Sequence, residues 1–331
     1  MRFLLVYPPL KSYTNYWHPH LGLRYLSAIL SKNGVQTKII DCVANKWDHL
    51  DFEKSFVKTQ KPDAVLITAT TSEINSAHKI ASIVKRHDKH VMTIIGGPHT
   101  TAEPELTLKQ FKDFDIAVIG EGEYTILDIR DYLENKKPLN KIKGIAYHQD
   151  NSIFVNEKND IILDLDKLPP PDWKKFPIKR YRSYLGMRTV VELPIITGRG
   201  CPNQCVFCQR ALGQRVRVRS ISYVIEEIQK DIELGAESIY FCDETFSLFK
   251  KRTIELLNEM WKRNIDKKVF WHCETRVDSV DEKVLSSMKK AGCKMIHFGV
   301  ESGSNAILKK CKKGINRKQI ITALELQKDL V

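Results

Sequence analysis

The chain has 331 residues, 42% of them hydrophobic and 28% charged, an ordinary globular composition that excludes a mostly disordered protein. No apolar run approaches the ~18 residues of a membrane-spanning helix, and the first, Phe3 to Tyr7, is too short for a secretory signal core, so a cytoplasmic protein of about two domains is expected. Lys and Arg number 53 against 40 Asp and Glu, and the net charge of +13 favours anionic partners without naming one.

The first apolar run ends in Pro8-Pro9. Leu21, Tyr25, Ala28 and Ile29 recur at helical spacing over 20–32, and Asn33-Gly34 closes that helix. Strands are expected at 36–42, 64–69, 90–95 and 115–119, with helices at about 72–86 and 124–133. Short apolar strands separated by helices imply a parallel sheet buried on both faces, here a doubly wound domain over residues 1–140. Ligands of such domains bind beyond the C-terminal ends of the strands. The candidate binding residues are therefore Pro8 and Pro9, Thr70, Thr71 and Ser72, Gly96, Gly97, His99 and Thr100, and Gly120, Glu121, Gly122 and Glu123. Small and hydroxyl residues there let backbone amides approach a large polar ligand, although the glycines could serve only the strand-to-helix turns. No G-x-G-x-x-G follows the first strand, which disfavours a dinucleotide. No D-x-H-x-x-G occurs, and His99 reads as a hydrogen-bonding loop residue rather than a metal ligand.

A β-hairpin is expected over 144–155, followed by the stiff run Pro169-Pro170-Pro171. Residues 141–189 are accordingly assigned to a connector. From 190 to 331 the alternation resumes, with strands expected at 191–197, 238–242, 269–274 and 295–300 and helices near 223–234, 253–263, 282–291 and 317–328. The lysine-rich run 309–313 reads as a solvated face. Residues 179–219 carry Lys179 and eight arginines against a single acid, Glu192.

With no secretory signal, eight cysteines do not imply disulfides. Cys42, Cys242, Cys273, Cys293 and Cys311 are dispersed and read as small buried residues. Cys201, Cys205 and Cys208 lie on one loop, spaced C-x3-C-x2-C, directly after the first strand of the second domain. Three thiolates so placed can ligate three irons of a four-iron cluster and leave the fourth for an exogenous ligand. Structural zinc takes four ligands, often as two separated pairs. No second C-x-x-C exists, and Cys242 or Cys273 would have to complete a zinc site from within or at the end of a strand.

This motif, with Phe207 just before its last cysteine, resembles the signature of radical S-adenosylmethionine (SAM) enzymes. The preceding domain, with Gly96-Gly97-Pro98-His99 and Gly120-Glu121-Gly122-Glu123, is similar to the cobalamin-binding domain of that superfamily's B12-dependent branch. The resemblance covers nearly the whole chain. It implies an α/β protein in which a doubly wound parallel sheet precedes a partial TIM-like (βα) barrel of about four units over 190–331. It also implies that Cys201, Cys205 and Cys208 hold a [4Fe-4S] cluster. SAM would be contacted by Phe207, by Asp243 and Glu244 after the second strand, by Glu274 and Arg276 after the third, and by Glu301 and Ser302 after the fourth. Cobalamin would sit on the N-terminal loops with no histidine on cobalt. A low-potential donor of flavodoxin or ferredoxin type would drive reductive SAM cleavage, and hydrogen abstraction would lead to methyl transfer or ring formation on a small molecule.

Two alternatives are an RNA-modifying enzyme, suggested by the arginines of 179–219, and a shortened cofactor-binding protein with little activity. With about four barrel units, the last strand is expected to leave an apolar open edge that a partner or a second copy would cover.

Overall fold

A computed structural model describes residues 1–10, 18–59, 61–171, 173–185 and 188–330. Asp172 of the proline-rich run and the side chain of Arg188 lie outside the described residues. The chain divides into two compact units, Met1–Ile162 with Leu168–Arg180, and Leu163–Lys167 with Tyr181–Val331.

The first unit runs β1 (Arg2–Tyr7), α1 (Leu21–Lys32), β2 (Gln36–Asp41), α2 (Cys42–Asn45), α3 (His49–Val57), β3 (Ala64–Thr68), α4 (Ile74–His87), β4 (Met92–Gly96), α5 (Pro98–Ala102), α6 (Pro104–Gln110), β5 (Ile116–Val118), α7 (Thr125–Leu133), β6 (Ile145–Gln149) and β7 (Ser152–Val155). The sheet order is β2-β1-β3-β4-β5-β6-β7. Strands β1 to β5 are mutually parallel, and β6 and β7 are antiparallel additions. Every residue of β3 and β5 is buried, as expected of strands covered on both faces. The strand order reverses between β1 and β3, which opens a crevice at their C-terminal ends.

Local chemistry places the helices. His20 caps α1, its Nδ1 accepting from Leu23 N at 3.2 Å. Helices α2 and α3 were not anticipated because their apolar faces are short. They start on caps instead: Asp41 accepts from Ala44 N, and Asp48 and Asp51 form a reciprocal capping box.

Two parts of the expected connector belong to this unit. The β6–β7 hairpin pairs with β5 and forms the sheet's antiparallel edge. The segment after the prolines packs on α1 and β2. The Arg24 guanidinium lies 3.5 Å over the Trp173 ring and donates to Pro171 O at 3.2 Å. Lys175 Nζ donates to Ser31 Oγ at 2.7 Å and also to Thr37.

The second unit contains β8 (Arg182–Leu185), β9 (Arg188–Ile195), β10 (Gly198–Arg199), β11 (Arg217–Val218), α8 (Ile221–Glu233), β12 (Ser238–Phe241), α9 (Lys250–Lys262), β13 (Phe270–Thr275), α10 (Glu282–Lys290), β14 (Cys293–Phe298), α11 (Asn305–Lys310) and α12 (Arg317–Leu330). Its main sheet has the order β14-β13-β12-β9-β8, parallel except for β8. This is the half-barrel form of the expected (βα) repeat. Alternation assigns Leu193, Ile195, Ile239, Phe241, Trp271 and Cys273 to one face, and all are buried. Trp271 sets edge-on against Phe241 at 5.3 Å and donates Nε1–H to Ala291 O at 2.7 Å.

The opposite face is polar. His272 Nε2 lies 3.0 Å from Glu192 Oε2, to which Ser238 Oγ also donates. Tyr240 stacks on His272 at 4.7 Å and donates to Glu274 Oε1 at 2.7 Å. Among the described residues no strand pairs with the outer side of β14. That edge is not the apolar one expected, because Lys294 and His297 are exposed on it, and such charged or polar side chains discourage edge pairing.

Candidate functional site

The cysteine loop grows directly from β9. After Thr197 the chain forms β10, which pairs antiparallel with β11 and closes residues 200–216 into a loop. Gly200 has φ +94°, and a β-carbon there would collide with the Arg215 carbonyl. Cys201 N donates to Gly213 O at 3.1 Å and Cys208 N to Cys205 O at 3.2 Å, while Val206 N reaches Cys311 O at 3.1 Å. All three thiols are free; Cys205 is buried, Cys201 half-buried and Cys208 exposed. Among the described residues no three His, Cys, Asp or Glu side chains converge on one metal ion. A four-iron cluster needs no such convergence, since each thiolate binds its own iron.

Several expected residues gather at this loop. Glu244 accepts from Gly200 N at 3.2 Å. Arg276 makes a two-pronged pair with Asp278 at 2.9 and 2.7 Å. Burial alone would lower its pKa, but Asp278, with the nearby Cys205 and Cys201, holds it above its ordinary value. Glu301 sits at φ +62° and accepts from Lys313 Nζ at 2.9 Å, and that ammonium is 5.8 Å from the ring centre of exposed Phe207. Ser302 Oγ accepts from Ser304 N at 3.1 Å.

Two expected residues have other partners. Both oxygens of Asp243 lie 3.1 Å from Thr197 N, and Thr197 Oγ1 donates to one of them at 3.0 Å. Asp243 therefore secures the turn that launches the cysteine loop. Glu274 is exposed and takes the Tyr240 hydroxyl.

The arginine run is divided: Arg180, Arg182 and Arg215 are exposed and Arg210 is half-buried. Arg199, Arg217 and Arg219 are buried. Arg217 donates to Leu212 O at 2.7 Å, and Arg219 donates to Ile196 O at 3.1 Å and pairs with Glu227. The Arg217 and Arg219 guanidiniums brace the turn and the loop. Arg252, not singled out in the sequence, donates to Thr197 O and Arg219 O at 3.3 and 2.7 Å. Lys313 was hidden in the lysine run taken for a solvated face; Lys309, Lys310 and Lys312 are exposed, but Lys313 is only 6% exposed.

In the first unit, the loops after β1, β3 and β4 meet at the crevice. Gly97, at φ +105°, presses against β3 so closely that a β-carbon would lie 2.7 Å from Ala69 O. Thr71 Oγ1 lies 3.1 Å from His99 Nδ1, and Thr70 Oγ1 lies 3.0 Å from Ser72 Oγ. Thr70, Thr71 and Ser72 are exposed, and Gly96, Gly97, His99, Gly120 and Gly122 are partly so. Burial lowers the pKa of His99, and that of His20 too. Beneath them Tyr7 donates to Glu73 Oε1 at 3.2 Å, and Glu73 Oε2 accepts from Thr70 N at 2.7 Å.

The other candidates face inward. Pro8 and Pro9 are buried, and Pro9 O takes the Ser76 hydroxyl. Thr100 is buried and donates to Val118 O at 2.9 Å. Glu121 and Glu123 are buried, and Glu121 accepts from Ile162 N at 2.8 Å. These residues build the loops rather than line them.

The B12 binding domain family matches residues 10–130, and the Radical SAM superfamily matches residues 195–330. An uncharacterized methyltransferase of Pyrococcus horikoshii is 36% identical over 99% of this chain and 71% of its own. The chain belongs to the family of B12-binding radical SAM proteins. Another relative in that family, the anaerobic magnesium-protoporphyrin IX monomethyl ester cyclase of Rubrivivax gelatinosus, is 30% identical over 99% of this chain and 60% of its own. The fold matches the cobalamin-dependent SAM radical enzyme OxsB with a TM-score of 0.86 at 22% identity, over 98% of this chain and 47% of that one. It matches the radical SAM methyltransferase TsrM of Kitasatospora setae with a TM-score of 0.81 at 16% identity, over 99% and 65%. The chain thus spans 47% to 71% of the length of these relatives. No helix among the described residues is long and apolar enough to cross a membrane.

Proposed function

We propose that this protein is a cobalamin-dependent radical SAM enzyme that modifies a small molecule by methyl transfer or ring formation, with a low-potential flavodoxin- or ferredoxin-type protein as reductant and the cytoplasm as its compartment. The observation that carries the reading is the C-x3-C-x2-C loop. Three free thiols sit on a backbone fixed by hydrogen bonds, with Glu244, Arg276, Phe207 and Glu301 gathered beside them.

When bound, the cluster supplies the electron for reductive SAM cleavage and cobalamin supplies a transferable methyl group. Cys201, Cys205 and Cys208 would hold the cluster. The exposed carboxylates of Glu244 and Glu301 are placed to accept hydrogen bonds from SAM, and Phe207 offers an exposed ring. Asp243 and Arg252 hold the turn before the loop, which keeps the thiols in position. In the first unit the exposed hydroxyls of Thr70, Thr71 and Ser72 and the close-packed Gly97 suit a large polar ligand. His20 is unsuited to ligate cobalt, since both its ring nitrogens have partners, Leu23 N and Thr68 Oγ1.

Anaerobic reconstitution tests the proposal. Iron and sulfide should load, cobalamin should be retained, and SAM should be cleaved under a strong reductant. The triple variant Cys201→Ala/Cys205→Ala/Cys208→Ala should lose iron yet still bind cobalamin. Incorporation of zinc alone, after iron and sulfide are supplied, would defeat the reading.

A further inference from the structure

We infer that Lys313 is a positioning residue for the cluster: its buried ammonium holds Glu301 in place and raises the reduction potential of the iron–sulfur centre. The inference rests on the proposed function.

The backbone is built to turn this lysine inward. Helix α11 ends in a reversal in which Lys312 N donates to Lys309 O at 3.1 Å and Lys313 N to Leu308 O at 3.0 Å. That is the paired bonding of a Schellman turn. Lys312 takes the left-handed position at φ +50°, usually given to glycine, and Gly314 follows at φ +76°. A lysine on a surface helix end has no need of such a turn, and here it buries one ammonium out of a run of exposed ones.

The destination is equally specific. Lys313 Nζ lies 2.9 Å from Glu301 Oε1 and 5.8 Å from the ring centre of Phe207, within cation–π range. A side chain on Gly299 would come within 2.9 Å of Nζ, so the absence of a β-carbon there leaves room for the ammonium. Phe207 directly precedes Cys208, and the reversal itself is tied to the cysteine loop through Val206 N and Cys311 O. Glu301 has the left-handed backbone that a non-glycine residue adopts only under constraint, and Lys313 is its hydrogen-bond partner.

An ammonium carries three donors, and among the described residues Glu301 takes one. The cation thus keeps unused donor capacity beside the thiolate loop. Reduction adds negative charge to the cluster, so a neighbouring cation favours the reduced state. Glu301 opposes this by partial neutralisation.

The test is the midpoint potential of the reconstituted full chain, read by an EPR-monitored redox titration, with iron content measured on the same samples. Lys313→Met should keep its iron and become harder to reduce. Lys313→Arg should restore the wild-type potential. Glu301→Gln should shift the potential the other way, which keeps the idea testable even if Lys313→Met folds poorly. An unchanged potential in Lys313→Met with a weaker SAM affinity would place the ammonium on the ligand and overturn the inference. Loss of iron in both lysine variants would reduce Lys313 to a structural role and also overturn it. Failure of the wild-type chain to assemble a cluster would instead refute the proposed function.

Discussion

The Asp243 carboxyl gives the most quantitative prediction. It is 6% exposed and accepts from the amide and hydroxyl of Thr197 and from the Gly198 backbone. Burial pushes its pKa from 3.8 up to about 6, although the Thr197 bonds and Arg252 pull the other way. The displacement of roughly two units corresponds to about 3 kcal/mol. Between those two values the folded chain keeps a proton that the unfolded chain has released. The stability associated with this group is therefore fully present below about pH 4 and falls by about 3 kcal/mol as pH rises through 6. The perturbation is Asp243→Asn, which removes the titration while keeping an acceptor for Thr197. Hydrogen exchange at the Thr197 amide reads the effect, because that N–H is donated to the carboxyl itself. After correction for intrinsic exchange, the wild type should open more easily as pH rises from about 4 to about 7, and the variant should not. The same slope in both proteins, or a carboxyl that titrates at or below about 4, would show that burial does not hold the proton on Asp243.

Gly200→Ala should lower iron loading several-fold at unchanged cobalamin binding, because a β-carbon at φ +94° strikes the Arg215 carbonyl; iron analysis beside a cobalamin-binding curve checks it. Trp173→Ala empties a site 1% exposed and unstacks Arg24, and should destabilise the first unit by about 3 kcal/mol, measured by urea unfolding. Cobalamin bound to the protein should show no histidine nitrogen hyperfine coupling on cobalt in its EPR spectrum; the appearance of such coupling would contradict the roles given to His20 and His99.

The features legible in the sequence were those set by local pattern. Strands β1, β3, β9 and β12 lie within two or three residues of expectation. The cysteine spacing is a local signal too, because all three ligands share one loop. Features that depend on distant partners were not legible. Trp173 looked like part of a linker because nothing near it in sequence announces Arg24. The burial of Arg217 and Arg219 was not legible because their partners are the Leu212 and Ile196 carbonyls and Glu227 on the next helix. Lys313 was masked by its exposed neighbours, and the turn that buries it has a lysine where a glycine would have signalled it. Glu121 and Thr100 occupy strand-end loops where ligand contacts are expected, yet their side chains turn to Ile162 and Val118. Position in a doubly wound fold locates the crevice but not the direction in which each side chain points.

In the proposed function Cys201, Cys205 and Cys208 hold a four-iron cluster whose remaining iron takes SAM. Its most direct measurement is the EPR spectrum of the anaerobically reconstituted, dithionite-reduced protein recorded with and without SAM. The expected result is a four-iron cluster signal that changes shape when SAM is added and is absent from the triple cysteine variant. A cluster signal indifferent to SAM, or no iron–sulfur signal from the wild-type chain, would contradict it.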